Sequence, residues 1–284
     1  MQIFENIKSL QIFLSEQRQK NRSVGFVPTM GALHSGHLSL LKQAKNENDL
    51  AICSVYVNPT QFNNTDDLEK YPRNLNLDKN LLENVNCDVL FCPTNEEMYP
   101  YERANGMAMS FGRLDQVLEG KFRPGHFSGV GLVLSKLFHI VQADKAYFGQ
   151  KDLQQCSVVQ KLVDELFFDT QLVVVPTVRE DNGLALSSRN ERLSSEGKKL
   201  AANLYQALQK VSDALQRGKA PEQARQEGVD SLSKYSEIEL EYLEVVDKRN
   251  FMPPTDATPQ VEVAVCTAAY VEGVRLIDNI LVFS

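Results

Sequence analysis

This chain of 284 residues contains no run of about 18 uncharged apolar residues, so no segment reads as a membrane span. Cysteine is sparse: the five residues, at positions 53, 87, 92, 156 and 266, are odd in number and form no CxxC pair. That argues against a disulfide framework or a zinc ribbon and favours a reducing, cytoplasmic setting. Cys53 and Cys92 fall in strand-like runs, where a thiol serves as a small hydrophobe. The net charge of −7 disfavours nucleic acid as the main partner, although it leaves room for a local basic pocket. Repeats and low-complexity segments are lacking. Histidine is scarce, with four residues, yet His34 and His37 stand three positions apart.

What is present is the composition of an ordinary globular protein, 43% apolar and 24% charged, long enough for one large domain or two. "MQIFENIKSLQIFLSEQRQK" at the start interrupts its apolar positions with charges and glutamines, so it is expected to be an amphipathic helix and not a signal peptide. Apolar, β-branched runs at 24–29, 50–57, 88–93, 145–151 and 171–180 read as buried strands. Helical stretches at 74–85 and 130–141 lie between them. Strands alternating with helices predict an α/β fold, a Rossmann-like doubly wound parallel sheet. Beyond about residue 178 the texture changes. An amphipathic helix, with Leu200, Leu204, Leu208, Val211 and Leu215 on one stripe, precedes "EIELEYLEVVD", a strand with one wet face. Two further strands joined near Gly273 follow a loop at 252–259. The expectation is a Rossmann-like domain over 1–177 and a smaller C-terminal α+β lid domain over 178–284.

In an open parallel sheet, ligands bind where strands lead into helices at the carboxyl edge. "FVPTMGALHSGHLSLLKQA" (26–44) crosses such an edge. A helix starting near Ser35 or Gly36 would turn free N–H groups toward an anion, His34 and His37 would add donors on one face, and Gly31 and Gly36 would permit close approach. That arrangement suits the α-phosphate of a nucleotide, whose charge grows during nucleotidyl transfer. Taken alone, the pair is also compatible with a structural role or with metal binding, although no HExxH glutamate or other third ligand accompanies it. "LALSSRN" (184–190) offers two hydroxyls and a guanidinium to phosphate oxygens, and an ordinary surface loop often has the same composition. Lys151 and Asp152, at a strand end, suit a phosphate and a ribose diol, or equally a surface ion pair.

Together, "PTMGALHSGH", "VYVNPTQFNNTDDLEKYPR", "LEGKFRPGHFSGV", "YFGQKDLQQ" and "LALSSRN", in this order and spacing, resemble the pantothenate synthetases (pantoate–β-alanine ligases). The match runs from about residue 24 to 195 and continues toward the C-terminus. The HxGH motif and the serine-rich loop also resemble the wider class I nucleotidyltransferase and aminoacyl-tRNA synthetase superfamily. The resemblance implies a cytoplasmic homodimer that uses ATP with magnesium, held mainly by the ATP phosphates, to convert (R)-pantoate to pantoyl adenylate. β-Alanine then displaces AMP. It implies that His34 and His37 contact the ATP phosphates, with His37 as proton donor and Lys151 on phosphate. Met30, Gly31, Ala32, Leu33, Ser35 and Gly36 form the rest of the first nucleotide loop. Gly149, Gln150 and Asp152 complete the second, with Asp152 on ribose, and Val178 touches adenine through its backbone. Leu186, Ser187, Ser188 and Arg189 form a lid over the phosphates. Gln61 and Gln155 hold pantoate, Gln61 also lies near β-alanine, and Asn58 is a weaker addition.

The family usually has methionine where this chain has Leu186, a swap that conserves volume. His126 in "RPGHF" is as well suited to fixing a loop as to touching substrate, Arg123 has no defined role, and His139 reads as structural. Two rival functions stand beside this one: an adenylyltransferase acting on a phosphate, in which "NPTQFNNTDDLEKYPR" has no job, and a silent nucleotide-binding module.

Overall fold

Pro28 stands inside a buried strand with no N–H to give, and the sheet opens beside it. The computed structural model describes residues 1–100, 106–254 and 262–282. Its first unit comprises β1 (Gln2–Phe4), α1 (Ile7–Gln19), β2 (Val24–Thr29), α2 (Ser35–Glu47) and β3 (Leu50–Val55). These are followed by α3 (Thr65–Glu69), α4 (Leu75–Asn84), β4 (Val89–Phe91), α5 (Asn95–Met98), α6 (Leu118–Phe122), α7 (His126–Val141), β5 (Lys145–Gly149), α8 (Leu153–Glu165) and β6 (Gln171–Val175). The strands form one parallel sheet in the order β1-β4-β3-β2-β5-β6. The chain runs outward from β2 through β3 to β4, then returns to place β5 on the other side of β2. The switch point therefore lies between β2 and β5. β2 pairs with β3 from Val24 to Thr29, but with β5 only at Gly25 and Phe26. Beyond Phe26 the two central strands part, which tolerates the proline and leaves a cleft at their carboxyl ends.

Helices cover both faces of the central strands β2, β3 and β4, which are accordingly almost wholly apolar; Phe26, Ile52, Val89 and Phe91 pack with Leu10, Leu14 and the apolar side of α7. On the opposite face Val27, Cys53, Leu90 and Tyr147 pack with Leu41 and Leu82. Among the described residues no helix is long and apolar enough to cross a membrane. All five cysteines are free thiols.

The second unit has α9 (Ser195–Gln216) and α10 (Pro221–Leu232) packed on an antiparallel sheet of β7 (Ile238–Asp247), β8 (Val263–Val271) and β9 (Val274–Val282). Its second face meets the first unit: Leu118 and Leu153 pack against Tyr242, Val246, Ala264 and Cys266. A buried charge network crosses the same seam. Arg275 donates to both carboxylate oxygens of Glu119 (2.8 and 2.7 Å) and to Glu241, and the Tyr242 hydroxyl donates to Glu119 at 2.9 Å.

Several expectations need correction. The N-terminal segment is not helical from its start: residues 2–4 pair with β4, and the helix begins after Asn6, whose side chain caps it. The strand expected over 171–180 stops at Val175, before Pro176; only Arg179 pairs further on, with Ala185. β7 has a wet face only in its first half, because from Tyr242 onward the far side is covered by the first unit. The loop expected at 252–259 falls mostly outside the described residues.

Candidate active site

The loop between β2 and α2 is held in an unusual path. Gly31 has φ of 81° and Ala32 of 48°, both left-handed. A Cβ at Gly31 would come within 2.9 Å of Asp78 and of Val55. The cause is Asp78, a buried carboxylate on α4, which accepts from the Leu33 amide at 2.7 Å and the Ala32 amide at 3.1 Å. Burial pushes its pKa up, and those two amides work against the rise. Thr29 closes the turn by accepting from the Gly31 amide and donating to the Ser54 carbonyl.

The loop delivers His34 to the N-cap of α2, where its Nδ1 accepts from the Gly36 amide at 3.2 Å. One turn later His37 brings its ring to 4.1 Å from that of His34, centroid to centroid. Burial first, and then the neighbouring His37 and Lys151 charges, lower the pKa of His34 to about 3. Burial and Lys151 lower that of His37 to about 4. Both rings are therefore neutral at pH 7. With Nδ1 of His34 acting as acceptor, its single proton sits on Nε2, which is left as a donor. Nδ1 of His37 is buried with no protein partner among the described residues.

These rings form part of the wall of a cavity of about 230 Å³ at the switch point. Gly149 ends β5 there, Lys151 and Asp152 follow it, and Val178, Leu186, Ser187, Ser188 and Arg189 line the cavity as well. Ser188 donates to the Ala32 carbonyl at 2.9 Å, so the serine loop is tied to the histidine loop. Arg189 reaches across to Asp67, donating at 2.7 Å, and Arg192 joins the same carboxylate at 3.1 Å. Burial raises the pKa of Asp67, but the Arg189 hydrogen bond and charge outweigh it and hold the carboxyl below its ordinary value.

Met30, Pro28, Phe127, Val130 and Val133 line the same cavity, with Gln61 and Gln155 as its amides. Its floor is rigid. Asn58 is 1% exposed and donates to the Gly129 carbonyl and to Gln61 Oε1, while its own oxygen accepts from Thr60 and Tyr99. α7 packs so closely that a Cβ on Gly129 would lie 2.3 Å from the Thr60 carbonyl oxygen. Arg123 is the donor to Nε2 of His126 (3.1 Å), so Nδ1 carries the proton and donates to the Gln61 carbonyl at 2.8 Å.

Against known proteins, the family model described as pantoate-beta-alanine ligase matches residues 2–281. This chain belongs to the pantoate–β-alanine ligase family. The pantothenate synthetase of Cytophaga hutchinsonii is 51% identical over 278 residues, 98% of each chain. That of Thermotoga petrophila is 43% identical, covering 98% of this chain and 99% of the relative. The crystal structure of pantothenate synthetase from Thermus thermophilus superposes with a TM-score of 0.93 at 40% identity, covering both chains fully. Pantoate-beta-alanine ligase from Francisella tularensis, complexed with beta-gamma ATP and beta-alanine, gives a TM-score of 0.80 at 36% identity over 99% and 97% of the two chains. The chain is thus an enzyme of this ligase family, and its Rossmann-like sheet with a small antiparallel appendage is the family's architecture.

Within this ligase fold, the structure brings Met30, His34, Gly36, His37, Asn58, Gln61, Gly149, Lys151, Asp152, Gln155, Val178, Leu186, Ser187, Ser188 and Arg189 to one cavity. It does not bring Gly31, Ala32, Leu33, Ser35 and Gln150 to that wall. The amides of Ala32 and Leu33 turn back to Asp78, Ser35 is exposed, and the side chain of Gln150 points to Asn279. Asn58 spends its polar atoms on the protein and acts on Gln61. The Val178 carbonyl accepts from the Leu186 amide. Among the described residues no three of His, Cys, Asp and Glu converge to hold a metal ion.

Sequence reasoning missed Asp78, Asp67, Glu119 and the pair Asp278–Asn279. Asp78 reads as an ordinary acid in the first turn of a helix. The others act across long separations, and "NNTDDLEKYPR" was the one visible hint.

Proposed function

We propose that this chain condenses (R)-pantoate with β-alanine, using ATP, through a pantoyl-adenylate intermediate, and releases AMP and pyrophosphate. The observation that carries the reading is one cavity whose wall brings together two neutral histidines, Lys151, the Ser187–Arg189 loop, apolar side chains and the amides of Gln61 and Gln155. A carboxylate is a poor electrophile, and adenylation supplies the leaving group that amide formation needs.

In the first step a pantoate carboxylate oxygen attacks the α-phosphorus. The new P–O bond forms as the bond to the β-phosphate oxygen breaks, and pyrophosphate leaves with that electron pair. His34 donates through Nε2 to the phosphate oxygens, and His37 and Lys151 stabilise the charge that develops there. Ser187 and Arg189 face the β and γ phosphates; Arg189 would exchange Asp67 for them. Asp152 suits the ribose diol, and the Val178 backbone adjoins adenine. Gln61 has Oε1 engaged by Asn58 and one Nε2–H directed at Met30 Sδ, so its second Nε2–H is the donor to pantoate; Gln155 supplies the second amide, and the apolar wall takes the branched carbon chain. In the second step the amine of β-alanine attacks the acyl carbonyl, AMP leaves, and the amine gives up a proton. Magnesium would enter as part of the ATP substrate, held mainly by the phosphate oxygens. The reading extends to a cytoplasmic homodimer, supported by the free thiols and by the family resemblance respectively.

Release of pyrophosphate and AMP, with ATP, pantoate and β-alanine each omitted in turn, tests this reading. AMP should accumulate only when all three are present. Sustained AMP production without pantoate contradicts it, as does equal activity on a phosphorylated acceptor in place of pantoate.

A further inference from the structure

The structure assigns to Asn279, on β9 of the C-terminal unit, the role of positioning residue for Lys151 in the cleft of the first unit. Asn279 is 3% exposed and lies at the cavity wall. Its Nδ2 donates to the carbonyls of Gln150 (3.0 Å) and Lys151 (2.9 Å), and its Oδ1 accepts from the Gln150 side chain at 3.3 Å. A carboxamide is the side chain whose two donors and acceptor, at one short tip, match these three groups. Those carbonyls belong to the tight turn, Gln150–Asp152, between β5 and α8. Rotating either peptide would swing the Lys151 side chain, and the turn has no side-chain cap of its own to resist it.

Asn279 is itself held in place. Its amide donates to Asp278, its carbonyl accepts from Arg179 at 3.1 Å, and Arg179 grips both oxygens of Asp278 at 2.6 and 2.9 Å while lying over the Tyr205 ring. Arg179 directly follows Val178. The segment next to the adenine position, strand β9 and the Lys151 turn are therefore one locked unit. This makes the C-terminal unit a structural part of the phosphate site, and it rests on Lys151 being a phosphate-binding group. A misplacement of about 1 Å in such a group costs on the order of 100-fold in rate.

The test is a double-mutant cycle on single-turnover pantoyl-adenylate formation, with Asn279→Ala made in the wild type and in Lys151→Ala. In the wild type the substitution should lower the rate by roughly 10- to 100-fold, with the pantoate KM nearly unchanged. In Lys151→Ala it should add less than about twofold, the range within which independent effects scatter. The isosteric Asn279→Asp, which cannot donate to two carbonyls, replaces it if the alanine variant does not fold. A second readout needs no substrate: the His37 ring titration, followed by NMR, should move up from about 4 in Asn279→Ala as the Lys151 charge departs. Equal losses in both backgrounds, or no loss in the wild type, overturn the inference. A Lys151→Ala enzyme with the normal rate is a separate result, which overturns the phosphate role of Lys151 on which it rests.

Discussion

The hydroxyl of Ser188 donates to the carbonyl oxygen of Ala32 over 2.9 Å, joining loops 156 residues apart at the mouth of one cleft. Ser188 is buried, so its removal leaves a carbonyl without its partner. Ser188→Ala should cost about 1–3 kcal/mol of stability, seen as a drop of a few degrees in Tm, and should raise the KM for ATP by untethering the serine loop. An unchanged Tm and KM would mean that the bond does not join the loops in solution.

Gln61 is aimed by Asn58 and by the His126–Arg123 pair, so its loss should fall on one substrate. Gln61→Ala is expected to raise the pantoate KM at least tenfold while ATP binding, measured by calorimetry, changes little. A site built to hydrogen-bond a polar group discriminates strongly through it. Equal losses for both ligands would contradict the assignment of Gln61 to pantoate.

Glu119 carries the seam between the units. Burial alone would raise its pKa, but Arg275, with Arg123 and Tyr242, lowers it to about 2. Glu119→Ala leaves the Arg275 guanidinium with Glu241 alone and strips Tyr242 of its acceptor. Breaking a buried ion pair of this kind costs about 3–5 kcal/mol, measurable as a lower urea midpoint. A loss below about 1 kcal/mol would show that the network is solvent-screened.

The histidines also set a pH window. His34, His37 and His126 have folded values of about 3, 4 and 3 against an ordinary 6.5, each through burial first. The unfolded chain therefore binds protons that the folded one refuses. Stability is complete above about pH 6.5 and is lost as pH falls toward 4, by up to about 1.4 kcal/mol per pH unit for each group. Glu119 adds to the decline only near and below its ordinary value of 4.5, where the unfolded chain takes up a proton that the folded carboxylate, at about 2, does not. His126→Gln, which can still donate to the Gln61 carbonyl and accept from Arg123, should flatten the decline between pH 6.5 and 4.5, followed by urea unfolding. An unaltered slope would contradict the neutral, buried assignment.

The long apolar runs made the central strands legible, and the period change after Thr29 marked the start of α2 at Ser35 to within a residue. β1 was not legible because three residues show no periodicity; it exists by pairing with β4. The covered second half of β7 was hidden for a related reason, since its partners Leu118 and Leu153 lie more than 80 residues upstream. At the site, local motifs named the groups that line the cavity. They could not show that Asp78 turns Ala32 and Leu33 away from it, or that Asn279 reaches Lys151. Those relations depend on contacts that only folding creates.

The central claim is that the paired histidines stabilise charge on the α-phosphate while pantoate is adenylated, and their contribution should therefore be larger in the transition state than in the bound ground state. Single-turnover formation of pantoyl adenylate by wild type and His37→Ala, with ATP, magnesium and pantoate but no β-alanine, measures this most directly. The account predicts one equivalent of adenylate per wild-type site and a rate lowered about 10²–10³-fold in the variant, the loss typical of one such donor. A variant that adenylates pantoate at the wild-type rate, or a wild-type enzyme that forms no adenylate, would contradict it.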